Sequence, residues 1–84
     1  MEFFVYILYS SKCDKYYVGQ TSDLDKRVEE HNHGKGGKFS KICSPWLLFY
    51  NEKYSSRAEA VKREREIKKK KSRKYIESLI ASQA

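Results

Sequence analysis

Residues 3–10, Phe-Phe-Val-Tyr-Ile-Leu-Tyr-Ser, form an unbroken run of apolar, aromatic and β-branched side chains. A run this short and this rich in strand formers reads as a buried β-strand. The polar, turn-like Ser11-Lys12-Cys13-Asp14 separates it from residues 15–20, Lys-Tyr-Tyr-Val-Gly-Gln, a second strand candidate. So short a connection makes the pair a hairpin, which the rest of the fold must then cover. Gly19 is a poor residue for the middle of a strand, and its presence predicts a bulge or a close approach to the backbone.

The remaining chain supplies the cover. Ser22, with Asp25 three positions on, reads as a variant capping box opening a first helix. Leu24, Val28 and His31 fall on one face of it, and Gly34 is its natural stop. Three of the four glycines then cluster in the loose segment 33–38. Pro45 precedes a third strand at residues 46–50. Ser56 with Glu59 is a full capping box for a second helix running to about Lys71, with Ala60, Val61 and Ile67 as its apolar stripe. Ser72 caps a short last helix that turns Tyr75, Ile76, Leu79 and Ile80 inward. The order is ββαβαα: an α/β (α+β) fold with a small, mainly antiparallel three-stranded sheet flanked by helices. With 84 residues, the expectation is a single domain over residues 1–84.

Charge narrows the class of partner. The net charge is +7, and residues 57–75 hold ten basic and three acidic residues, so the whole excess sits there. Arg57, Lys62, Arg63, Arg65, Lys68, Lys69, Lys70, Lys71, Arg73 and Lys74 are the basic set, expected to track a nucleic-acid backbone. No stretch of 18 apolar residues occurs to span a bilayer. The start, Met1-Glu2-Phe3-Phe4, is not expected to act as a signal peptide. Two cysteines 30 positions apart predict free thiols in a reducing cytoplasm. A zinc site from Cys13, His31, His33 and Cys43 is disfavoured by their spacing.

Three side chains break the pattern of a plain core. Glu64 lies among Ala60, Val61 and Ile67, in the middle of the core-facing side of its helix, where a carboxylate is costly unless paired or metal-bound. An ion pair with Lys68 at i+4 is the purely structural alternative. His31 follows Leu24 and Val28 on the inner face of the first helix, and Arg27 lies at the edge of that face. The hairpin adds tyrosines, of which Tyr6 and Tyr17 can share one face of the sheet. Phosphodiester hydrolysis uses groups of these kinds.

Phe4-Val5-Tyr6 followed by Tyr17-Val18-Gly19 resembles the paired signature of the GIY-YIG nuclease domain. Asp25-Lys26-Arg27, Glu30-His31-Asn32, and Glu59-Ala60 with Glu64 and Ile67-Lys68 match in order, over residues 3 to about 71. Phe4 stands where the signature has Gly, and Val18 where it has Ile. The chain is most similar to the small stand-alone bacterial members, which often lack that Gly. The resemblance implies a metal-dependent endonuclease acting on DNA rather than RNA, structure-directed or weakly specific, with one Mg²⁺ or Mn²⁺ held by Glu64. It implies that Arg27 grips the scissile phosphate, that Tyr17 is the general base or orients the attacking water, and that Tyr6 positions the nucleophile or the phosphate. His31 is an alternative base. The competing expectation is a non-catalytic nucleic-acid-binding module that keeps the fold.

Overall fold

The computed structural model describes residues 2–34 and 41–83. Six elements follow in the order strand β1 (Phe3–Ser10), strand β2 (Lys15–Thr21), helix α1 (Leu24–Asn32), strand β3 (Leu47–Tyr54), helix α2 (Arg57–Lys70) and helix α3 (Arg73–Ser82). The expected ββαβαα order is observed. The sheet order is β2-β1-β3, and both pairings are antiparallel. Most of the glycine-rich segment at 33–38 lies outside the described residues.

Each helix begins at a side-chain cap. Ser56 accepts from the Glu59 N–H at 3.2 Å and donates its hydroxyl to the Glu59 carboxylate at 3.0 Å. Ser72 accepts from the Tyr75 N–H at 3.1 Å. Helix α1 departs from expectation: its cap is Asp23, which accepts from the Lys26 N–H, not Ser22. Thr21 holds the Asp23 N–H and thereby sets the cap one residue later. Strand β3 runs to Tyr54, four residues beyond the predicted stretch. Polar residues 51–53 fit because β1 supplies the ladder regardless of side-chain character. A register shift against Ile7 and Leu8 leaves Phe49 as the extra residue, and its ring stacks on Tyr9 at 5.1 Å.

The period of the strands gives the sheet two dressed faces. On one, Val5, Ile7 and Val18 pack against Ala60 and Ile67 of α2, with Tyr75, Ile76, Leu79 and Ile80 of α3 closing the edge. Val61, predicted on that stripe, is only half-buried. Its place is taken by Arg63, whose guanidinium makes a bidentate pair with Glu52 at 2.9 and 3.1 Å and reaches the Tyr75 hydroxyl at 3.2 Å. On the other face, Tyr6 and Leu8 pack with Cys43 and Trp46, and with Tyr17, Leu24 and Val28 at the margin.

The free-thiol expectation is corrected: Cys13 and Cys43 are disulfide-bonded, their Cα atoms 5.4 Å apart. Their separation in sequence carried no information on distance. The hairpin turn brings Cys13 over the Tyr6 face, where Cys43 is buried. Ser10 fastens the same corner, accepting from the Cys13 N–H and donating to the Cys43 carbonyl. The bond also removes both thiols from the disfavoured zinc set. Among the described residues, no group of three His, Cys, Asp or Glu side chains is placed to hold a metal ion, and no helix is long and apolar enough to cross a membrane.

Candidate active site

The alternation of β1 puts Tyr6 on the α1 face of the central strand, opposite Gly19 of β2. Gly19 makes room for it. A Cβ at position 19 would lie 2.5 Å from the Tyr6 hydroxyl oxygen and 2.6 Å from Cζ. The close approach expected at Gly19 is therefore made by a side chain lying over the backbone, and the β1–β2 ladder passes it without a bulge.

The Tyr6 hydroxyl is fully buried and meets two residues of α1. Arg27 Nε donates to it at 3.3 Å, and His31 Nε2 lies 3.3 Å away. Spacing of i and i+4 brings Arg27 and His31 to the same side of their helix. Burial pushes the Tyr6 hydroxyl above its ordinary pKa, against the hydrogen bond and charge of Arg27, so Tyr6 keeps its proton at neutral pH. Burial first, and the Arg27 charge second, push His31 below its ordinary value, so the imidazole is neutral at pH 7. Arg27 donates to the Tyr6 oxygen and His31 Nε2 shares a hydrogen bond with it, which makes a chain from guanidinium through hydroxyl to imidazole.

Tyr17 completes the wall. Its ring stacks with Tyr6 at 6.3 Å and leans on His31 at 4.5 Å, and Trp46 closes behind His31 at 6.3 Å. Asn32 holds Trp46 by its backbone, donating to the carbonyl at 3.2 Å and accepting from the N–H. Glu64 lies on α2, the helix that covers the other face of the sheet, and its charge adds the least of the contributions at the Tyr6 hydroxyl. Its carboxylate, 19% exposed, accepts from Lys68 Nζ at 2.9 Å. Tyr6, Tyr17, Arg27 and His31 are thus drawn together from three elements, while Glu64, on a fourth, is not shown in contact with them and already carries a cation.

A model of the GIY-YIG catalytic domain matches residues 2–76. The chain belongs to the GIY-YIG family. UPF0213 proteins of Staphylococcus aureus strains Mu3 and Mu50 are each 46% identical to this GIY-YIG chain over 67 residues, covering 77% of it and 78% of their own length. The solution NMR structure of the UPF0213 protein BH0048 from Bacillus halodurans is 34% identical. It aligns with a TM-score of 0.59 over 96% of this chain and 84% of that one. Its fold matches the three-stranded antiparallel sheet and helix order described above.

The ten basic residues of this GIY-YIG chain divide into two groups. Arg57 lies over the Phe3 ring and donates to Gln20, Arg63 is paired with Glu52, and Lys68 with Glu64. Lys70 sits over Tyr75, and Arg73 bridges Asp14, Glu77 and the Tyr16 ring. Lys62, Arg65, Lys69, Lys71 and Lys74 are exposed and have no partner among the described residues. Arg63 is the residue whose setting the charge count misses. It lies at i+3 from Ala60 and i−4 from Ile67, the same spacing test that singles out Glu64. The clamp from Asn32 to Trp46 has no sequence signal, because it joins positions 14 residues apart through a backbone group.

Proposed function

We propose that this protein is a divalent-metal-dependent endonuclease that hydrolyses phosphodiester bonds of DNA with weak or structure-directed specificity. The observation that carries this reading is the Arg27–Tyr6–His31 chain, with Tyr17 stacked on it. It brings a guanidinium and two hydroxyls together, and α2 carries the carboxylate of Glu64. A carboxylate, being a hard oxygen donor, fits Mg²⁺ or Mn²⁺. A lone carboxylate also suits an ion that keeps several waters and takes substrate oxygen for the rest. When bound, such an ion neutralises the leaving oxygen.

The chain's own residues divide the remaining work. Arg27 spends Nε on Tyr6 and directs its outer nitrogens toward solvent and Glu30, at 3.6 Å, so it can grip a phosphate and stabilise its added charge. His31, buried and turned to Tyr6, positions that hydroxyl instead of serving as the base. Tyr6 stays protonated. Tyr17, at the margin of the cluster, is the hydroxyl available to orient an attacking water. Lys62, Arg65, Lys69, Lys71 and Lys74 lead the backbone of the nucleic acid to this point, joined by those of Arg57, Lys68, Lys70 and Arg73 that exchange an internal partner for phosphate.

The Glu64–Lys68 pair favours the second reading, a nucleic-acid-binding module without catalysis. One experiment separates them: a panel of labelled duplex, nicked, branched and single-stranded DNA and RNA, incubated with and without Mn²⁺. Metal-dependent cleavage that is lost in Glu64→Gln and in Arg27→Lys, with nucleic-acid affinity retained, supports the nuclease. Binding without cleavage on every substrate refutes it.

A further inference from the structure

Lys68 belongs to two places at once. Its ammonium is on Glu64, at 2.9 Å. Its stem lines a groove of ≈ 480 Å³ between β2 and the elbow where α2 meets α3. Val18, Ile67 and Ile76 give that groove an apolar side, while Lys15, Lys71 and Arg73 join Lys68 around it, Arg73 paired with Asp14, which lines the groove too. Tyr17 lies on the boundary between groove and cluster. The elbow is built for this: Lys71 takes the left-handed conformation, φ 47°, which ends α2 and turns the next residues across the end of β2.

We propose that Lys68 is a positioning residue that couples the two sites. With the groove empty, its ammonium neutralises Glu64. When a phosphodiester backbone enters the groove, the ammonium passes to a phosphate oxygen and leaves the carboxylate exposed to a divalent ion. Three features support this. The Lys68 side chain is 52% exposed, and its flexible four-carbon stem lets the charge move without moving the helix. Lys68 carries the exposed end of the pair, so a phosphate held by neighbouring cations competes for its ammonium. Glu64 is itself only 19% exposed, so a carboxylate that loses its cation there favours a replacement. Backbone and metal then bind with positive cooperativity, and linkage makes the effect reciprocal. The inference rests on the reading of Glu64 as the metal-binding carboxylate, although it does not require that cleavage follow.

The test is Mn²⁺ affinity, read by electron paramagnetic resonance on the full chain in an Arg27→Ala background that prevents turnover. A short single strand and a duplex of the same sequence serve as separate probes. In that background either probe, or both, should tighten Mn²⁺ binding about 5- to 100-fold, and the difference between them identifies the form of backbone the groove takes. Adding Lys68→Met should tighten Mn²⁺ binding without nucleic acid and reduce the gain from nucleic acid several-fold, to what direct ligation by phosphate oxygen supplies. Lys71→Met, the control, should weaken nucleic-acid binding and leave Mn²⁺ affinity in its absence unchanged. An undiminished gain in the Lys68→Met protein, or no gain in its parent, overturns the coupling even if wild type cleaves DNA. A gain that needs Lys68, beside a wild type that cleaves nothing, upholds the coupling and refutes the nuclease alone.

Discussion

Gly19→Ala is the substitution that tests the site's construction most directly. The backbone at Gly19 lies outside the left-handed region, so alanine can adopt it. Restricting the unfolded chain alone would stabilise the protein by about 0.4–1 kcal/mol. The new methyl group, however, would sit 2.5 Å from the Tyr6 oxygen, 2.6 Å from Cζ and 3.1 Å from Cε1. The ring must retreat by about 1 Å to recover ordinary contact distance. It has nowhere to go, being fully buried beneath α1. Overpacking of this kind costs about 1–3 kcal/mol. The hydroxyl also leaves both Arg27 and His31, so the balance is a loss of about 1–2 kcal/mol. For a chain of this length that lowers the melting temperature by about 4–16 °C. Thermal melts by circular dichroism give the answer, and the sign alone is decisive. An unchanged or raised melting temperature would refute the close approach. Adding Gly19→Ala to Tyr6→Phe should cost less than adding it to wild type, because the nearest atom has already been removed.

Three further outcomes follow from other parts of the molecule. Arg63→Met strands Glu52 among tyrosines and should cost about 2–4 kcal/mol at pH 7 in a urea melt. Burial works against the Glu52 carboxylate, but Arg63 and the hydroxyls of Tyr50 and Tyr54 outweigh it and lower its pKa. Its contribution is full above the ordinary glutamate value, about 4.3, and is lost as pH falls through the folded value. The gap between wild type and Arg63→Met should therefore narrow from pH 7 to pH 3, and a constant gap would count against the pairing. His31 is held neutral, with its pKa lowered by burial. Stability should thus be full above about pH 6.5 and decline as pH falls toward the folded value, with the slope preserved in His33→Gln, and a melt independent of pH from 8 to 5 would contradict it. Nucleic-acid binding should weaken with salt at a log–log slope of about −0.9 per phosphate neutralised on duplex, and reversing Lys69 and Lys70 to Glu should lower affinity without unfolding. A salt-insensitive affinity would remove the basic helix from the interface.

The elements were legible in the sequence because their causes are local. The strand period of residues 3–10, the capping serines at positions 56 and 72, and the short hairpin each act within a few residues. Tertiary packing only adjusted them, extending β3 along a ladder that β1 supplies and moving the α1 cap to Asp23. Glu64 and His31 were also legible as anomalies, since a polar group on an apolar face shows in the spacing alone. What the sequence could not determine was what those groups meet. That Tyr6 is the acceptor for Arg27 depends on Gly19 leaving a gap across a strand pair. That Glu64 carries Lys68, by contrast, is the pair its i+4 spacing had already offered as the structural alternative. The charge count made Arg63 equivalent to its neighbours, whereas the packing of α2 against β3 pairs it with Glu52 and takes it out of the basic face. The cysteines, 30 positions apart, had no local signature at all, and only the fold of the hairpin over the Tyr6 face brings them within bonding distance. Local chemistry fixes where a chain bends and which face it buries. The partners of a buried charge are fixed by distances between elements, and those exist only after the sheet has closed.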